Sequence, residues 1–237
     1  SMGALLLAGT LSAQTPVPEW QAGVDKMKSL IQTNPAQASE EVGELLKGKN
    51  KKNVDLVTSV AHVYLDAGKL TEAQEYLAMA KKANNKDPKV SVLEGDIALA
   101  QKDIGQACQL YEQAIYFDPN CKEAYLKYAQ AYKSASPALA IEKLEQLKAV
   151  DPNCLEADRE LAEVYYSSNR FGKAAEMYAK FIDTPLATED DMLKYAFALF
   201  LNHDFEKSLQ VAQKGLQKNA RHAAFNRLVM YNNTDLK

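Results

Sequence analysis

Apolar positions along this chain recur every three or four residues, the spacing that lines one face of an α-helix. Trp20, Val24, Met27 and Ile31 form one such stripe, and Pro35 then opens a second stretch carrying Val42, Leu45 and Leu46. From Val54 onward the pattern repeats. Small residues stand at Ala61, Gly95, Ala129, Ala162 and Ala196, and again at Ala73, Ala107, Ala140, Ala174 and Ser208. Successive members of either series are 33 or 34 residues apart, and the two small residues of a repeat are 11 or 12 apart. That offset puts one small residue on each arm of a helical hairpin, at its closest approach. A larger side chain there would force the arms apart, and such overpacking costs roughly 1–3 kcal/mol.

Bulky residues complete the period. Tyr64, Ala98, Tyr132, Tyr165 and Leu199 follow the first small position by three residues, and Leu77, Tyr111, Leu144, Tyr178 and Ala212 follow the second by four. Asp87-Pro88, Asp118-Pro119, Asp151-Pro152 and Thr184-Pro185 punctuate the junctions. One hairpin cannot bury its own apolar face, so the repeats are expected to stack on one another.

The period, the paired small residues, the aromatics and the junction prolines together resemble the tetratricopeptide-repeat (TPR) signature of 34 residues. The resemblance implies an all-α, right-handed superhelical solenoid. Residues 19–53 form a degenerate first repeat and 54–222 five TPR repeats; 223–237 supply the first helix of a further, truncated repeat. The family tryptophan is missing from the five clear repeats. The turn glycine survives at Gly68, with Ser136, Asn169 and His203 in its place elsewhere. Phe225, Leu228 and Val229 keep the first-helix register, and the uncovered last helix is expected to be adhesive, with a natural capping helix as the alternative.

The resemblance also implies that first helices line a concave groove that grips a peptide or protein partner. Its candidate residues are Thr58, His62 and Leu65, then Val92 and Asp96, then Leu126, Gln130 and Lys133. Arg159, Glu163 and Tyr166 follow, and Leu193, Phe197 and Phe200 close the series. TPR proteins that hold chaperone C-termini use a clamp of Lys, Asn and Arg on this face; Thr58, Val92, Leu126, His62, Asp96 and Gln130 stand there instead. Leu193, Phe197, Phe200 and Leu201 make the C-terminal end of the groove apolar, either as a partner surface or as a seat for the next helix.

Composition narrows the picture further. The 237 residues are 47% hydrophobic and 25% charged, with a net charge of −3, so no basic face for nucleic acid is indicated. Cys108, Cys121 and Cys154 form no disulfide framework and no zinc spacing, and are expected to be free thiols. Residues 1–18 carry a short apolar stretch, Ala4–Leu11, before a small-residue Leu11-Ser12-Ala13 site, resembling a signal-peptide remnant. That places the protein in the periplasm or envelope of a bacterium, with a cytoplasmic adaptor as the alternative. The same tail is expected to dock its leucines on a groove of its own or a neighbouring chain. No segment is long and apolar enough to span a bilayer.

Little in the chain suggests catalysis. Gly43 to Asn50 matches the start of a phosphate-binding loop, but it ends a helix and puts Asn50 where Ser or Thr would hold magnesium. The surrounding Lys47, Lys49, Lys51 and Lys52 read as a solvated turn, with a weak site for an acidic partner as the alternative. His62, His203 and His222 have no carboxylate or cysteine at metal or triad spacing. The reading is therefore a non-catalytic interaction scaffold without cofactor or metal. Its partner is expected to be a protein or peptide, with self-association through the C-terminal half repeat or the tail as a further expectation. The alternatives are a small-ligand or glycan-binding periplasmic protein, or the TPR part of a longer multidomain protein.

Overall fold

A computed structural model describes residues 16–235; the signal-remnant and tail-docking expectations rest mainly on residues 1–15, outside that range. The described chain is a succession of helices without strands. The first pair is α1 (Gln21–Leu30) and α2 (Pro35–Leu45), followed by a 3-10 turn, Gly48–Lys52. Five hairpins follow: α3 (Val54–Asp66) with α4 (Leu70–Asn84), and α5 (Pro88–Ala100) with α6 (Ile104–Phe117). Next are α7 (Lys122–Tyr132) with α8 (Pro137–Val150) and α9 (Leu155–Ser167) with α10 (Phe171–Phe181). The last hairpin is α11 (Glu189–Leu201) with α12 (Phe205–Lys218), and α13 (Ala223–Asp235) closes the array.

First helices begin 34, 34, 33, 34 and 34 residues apart, a stricter register than the junction prolines keep. The reason lies in what each proline does. Pro88 is the first residue of α5, behind Asp87, whose carboxylate accepts the Lys89 N–H. Pro119 and Pro152 sit in turns three residues ahead of their helices, and Cys121 and Cys154 take the capping positions. Several other helix starts are capped by side chains, as at Asn53, Asp103 and Asp204. Thr188 and Asp191 form a reciprocal capping box.

Every predicted small position, Gly95 included, is buried, Ala129 at 1% exposure being typical. The core is a series of clusters along the array, each shared by neighbouring repeats. First helices pack on the next first helix as well as on their own partner, α3 on α5 and α7 on α9. That is the solenoid logic, in which each repeat completes its neighbour.

The intra-repeat turns correct one expectation. Gly68, Lys102, Asn169 and His203 all adopt left-handed backbone, with φ between 58° and 74°. Each is followed by an N–H that reaches back to close the helix: Lys69 to Tyr64, Asp103 to Ala98, Arg170 to Tyr165 and Asp204 to Leu199. Ser136 does not join them; its φ is −149°, extended. The third repeat is one residue short in this turn, so it needs no left-handed residue, and Pro137 starts α8 directly.

The end of the array corrects another. Phe225 and Leu228 are fully buried, not exposed. Phe225 lies against Gly215 so closely that a Cβ there would meet its ring at 2.5–2.7 Å. These residues face the preceding hairpin, and the exposed apolar atoms of α13 belong to Met230 and Tyr231.

Candidate functional site

Consecutive first helices line one continuous face. At its N-terminal end lies a cavity of about 340 Å³ lined by Pro18, Trp20, Asp55, Thr58, Ser59, His62, Lys89, Val92 and Glu123. Two of the predicted groove residues prove to be structural. Thr58 is 4% exposed and its hydroxyl donates back to the Val54 carbonyl at 2.8 Å, a bond within its own helix. Val92 is fully buried and forms cavity floor, because its position on α5 turns toward the neighbouring hairpin.

Trp20 is the largest lining side chain that sequence reasoning left out of the groove. It precedes α1 and was expected on the inner stripe of the first repeat, yet only Val24, Met27 and Ile31 are core; Trp20 is half-buried at the cavity wall. Its isolation as the sole tryptophan was the one available signal.

His62 and Asp96 occupy the same position in successive repeats and meet across the groove. The His62 Nε2 lies 2.9 Å from Asp96 Oδ2, and its Nδ1 lies 2.9 Å from the Thr58 carbonyl. A carbonyl and an ionised carboxylate can only accept, so the arrangement favours the protonated ring, in which both nitrogens donate. Burial alone would push the His62 pKa down, but the Asp96 hydrogen bond and charge outweigh it and hold it above the ordinary 6.5. Burial likewise opposes ionisation of Asp96, and His62, Lys127 and Tyr111 overcome it, holding the carboxyl below its ordinary 3.8. Lys127 Nζ stands 2.9 Å from Asp96 Oδ2, and the Tyr111 hydroxyl donates to Oδ1 at 2.8 Å. His222 likewise meets a carboxylate from the preceding repeat, Glu189 at 3.2 Å, a contact that sequence spacing does not reveal.

Two repeats further on the arrangement returns. The Tyr178 hydroxyl donates to Glu163 at 2.8 Å, and Lys194 Nζ donates to the same carboxylate at 2.9 Å. Gln130 donates to Glu160 instead, and Arg159 pairs with the buried Asp191 at 3.0 Å. Lys89 pairs with Asp55, and Lys122 with Glu156 at 2.9 Å. Most groove charges therefore bind one repeat to the next. Lys133 is exposed and forms no ion pair among the described residues.

The remaining predicted residues are apolar or aromatic and partly open. Leu65 and Leu126 are half-buried, and the Tyr166 ring rests on Phe171 at 5.7 Å. Leu193, Phe197 and Phe200 are half-buried in a cluster with Phe225, Leu228 and Val229, and Phe200 lies 6.2 Å from Tyr231. The apolar C-terminal end is thus largely the seat of α13, with Leu201 left 44% exposed.

Among the described residues no group of three or more His, Cys, Asp or Glu could hold a metal, and no helix is long and apolar enough to cross a membrane. The three cysteines are free thiols; burial pushes Cys108 up to about 11 and raises Cys121 and Cys154 as well.

The stacked hairpins, with small residues at each crossing, define an α-helical repeat protein. The tetratricopeptide-repeat family profile matches residues 60–122 and 130–187, just over half of the chain, and the protein belongs to that family. Its members typically mediate protein–protein interaction and are in general non-catalytic scaffolds. No curated protein matches the chain in sequence. Among solved structures it is similar to PilW, a widely conserved type IV pilus biogenesis factor, at 17% identity and TM-score 0.67, covering 91% of this chain and 100% of that one. Pseudomonas aeruginosa PilF matches at 16% identity and TM-score 0.64, covering 87% and 95%. YrrB, a TPR protein with an unusual peptide-binding site, matches at 13% identity and TM-score 0.56, covering 86% and 97%. At these identities the likeness establishes the fold.

Proposed function

We propose that this protein is an interaction scaffold that takes an extended segment of a partner protein along its concave face, through residues 54–222. The observation that carries the reading is the cavity walled by Trp20 and His62 at one end of that face. A rigid aromatic beside a buried, hydrogen-bonded polar network is the composition of an anchor pocket. Because most groove charges are already paired between repeats, the partner is held by apolar side chains and by its backbone, with no carboxylate clamp. YrrB, similar in fold, has a peptide-binding site, which agrees with a peptide ligand here.

Service at the bacterial envelope is part of the same proposal. It is supported by the signal-like residues 1–18 and by the fold likeness to PilW, a pilus biogenesis factor. A photo-crosslinking side chain at Ser59 or Gln130, on the groove, is expected to capture the same partner in cells. The same group at Glu145, on the second helix of its hairpin, is expected to capture none. Capture at Glu145 alone refutes groove binding, and adducts found only with cytosolic proteins refute the envelope assignment.

A further inference from the structure

The strongest unexplained feature lies away from the groove. Residues 45–54 and 76–86 together carry seven lysines and no carboxylate, in a chain whose net charge is −3. The fold brings these two segments together, because the 3-10 turn Gly48–Lys52 packs against α4. Between them is a depression of about 620 Å³ lined by Lys51, Lys52 and Lys82 around Ala78, Met79 and Ala83. It shares no residue with the groove cavity, and its walls are a second helix and an inter-repeat turn.

The surrounding charges are not neutralised internally. Lys47 pairs with Glu44, and Lys81 with Glu94, but Lys49, Lys51, Lys52, Lys82 and Lys86 form no ion pair among the described residues. This contrasts with the groove, where most lysines and carboxylates pair across repeats. Lys81 and Lys82 also complement the C-terminal end of the α4 dipole. That does not explain Lys51 and Lys52, which lie on a different element facing the same depression.

We propose that this depression is a second docking site, for a segment of a partner protein that combines several carboxylates with spaced aliphatic side chains. Unpaired lysines around the rim attract the carboxylates, and the Met79–Ala78–Ala83 floor takes an aliphatic group. Rim charges of this kind speed association and weaken with salt. The scaffold then holds two partners at once, one in the groove and one behind it.

The test uses the whole protein and a fluorescein-labelled peptide of repeated Glu-Asp-Leu-Ser units, with binding read by fluorescence anisotropy. Saturable binding is expected, weakened roughly tenfold by joint Lys51→Glu, Lys52→Glu and Lys82→Glu substitution, and weakened again by salt. All three positions are exposed, so circular dichroism is expected to be unchanged, and the Gln versions give an intermediate effect. A control reversal at the exposed Lys28, Lys218 and Arg227 is expected to leave binding intact. A peptide with serine in place of leucine is expected to bind more weakly. Equal binding by the crevice variant, equal loss in the control, or indifference to the leucines overturns the proposal. So does binding to anionic phospholipid vesicles without binding to the peptide. None of these outcomes depends on occupancy of the groove.

Discussion

Gly95 lies in the middle of α5, where helix propensity alone says that alanine would be better by about 0.8–1.0 kcal/mol. The packing says the opposite. A Cβ at position 95 would lie 2.5 Å from Cε1 and 2.8 Å from Cδ1 of Tyr111, and 3.2 Å from the Ala107 carbonyl oxygen. Tyr111 is fully buried and its hydroxyl is committed to Asp96, so the ring has no free direction of retreat. The Ala107 oxygen is helix backbone. The α5–α6 hairpin must therefore open, and overpacking of this kind costs roughly 1–3 kcal/mol. After the propensity gain, Gly95→Ala is expected to lose up to about 2 kcal/mol. Gly43, in α2, is the matched control: a Cβ there meets nothing within 4 Å, and Gly43→Ala is expected to gain about 0.8–1.0 kcal/mol. Urea unfolding followed by far-UV circular dichroism measures both. In a double-mutant cycle, Tyr111→Leu is expected to relieve part of the Gly95→Ala penalty. If Gly95→Ala is more stable than the wild type, shifting in the same direction as Gly43→Ala, the close-contact reasoning fails.

Two further outcomes follow from named residues. Lys102 holds a left-handed φ of 66° that costs an L-residue roughly 1–2 kcal/mol, partly offset by the greater unfolded-chain freedom of glycine. Lys102→Gly is thus expected to raise the unfolding free energy by roughly 0.5–1 kcal/mol, and Asn169→Gly by less, since asparagine tolerates this region. The His62–Asp96 pair makes stability depend on pH in a definite sense. His62 titrates above 6.5 when folded, so its contribution is complete below 6.5 and is lost as pH rises through the folded value. Asp96 titrates below 3.8, so its contribution is present above 3.8 and is lost as pH falls through the folded value. The pair therefore stabilises the junction of α3 and α5 most between those limits. His62→Gln is expected to remove the decline on the alkaline side, as seen in urea midpoints across pH; an unchanged profile would show that the ring is not an imidazolium.

What the sequence determined by itself is the local part of the architecture. Helix existence, hairpin pairing and the repeat length follow from short-range spacing, and the buried Ala61, Ala129, Ala162 and Ala196 confirm the register. The same local logic located the first-helix face and, on it, His62, which lines the cavity at the N-terminal end. Only the tertiary structure decided which side of that face each residue takes. Thr58 and Val92 differ from open groove positions by less than a quarter turn of helix rotation, which the packing of neighbouring hairpins sets. The His62–Asp96–Lys127 contact joins three repeats, and Trp20 reaches the cavity from a helix pair that precedes them. Periodicity records which residues face inward within one helix; it holds no record of the angle at which one repeat settles on the next, and that angle brings these side chains together.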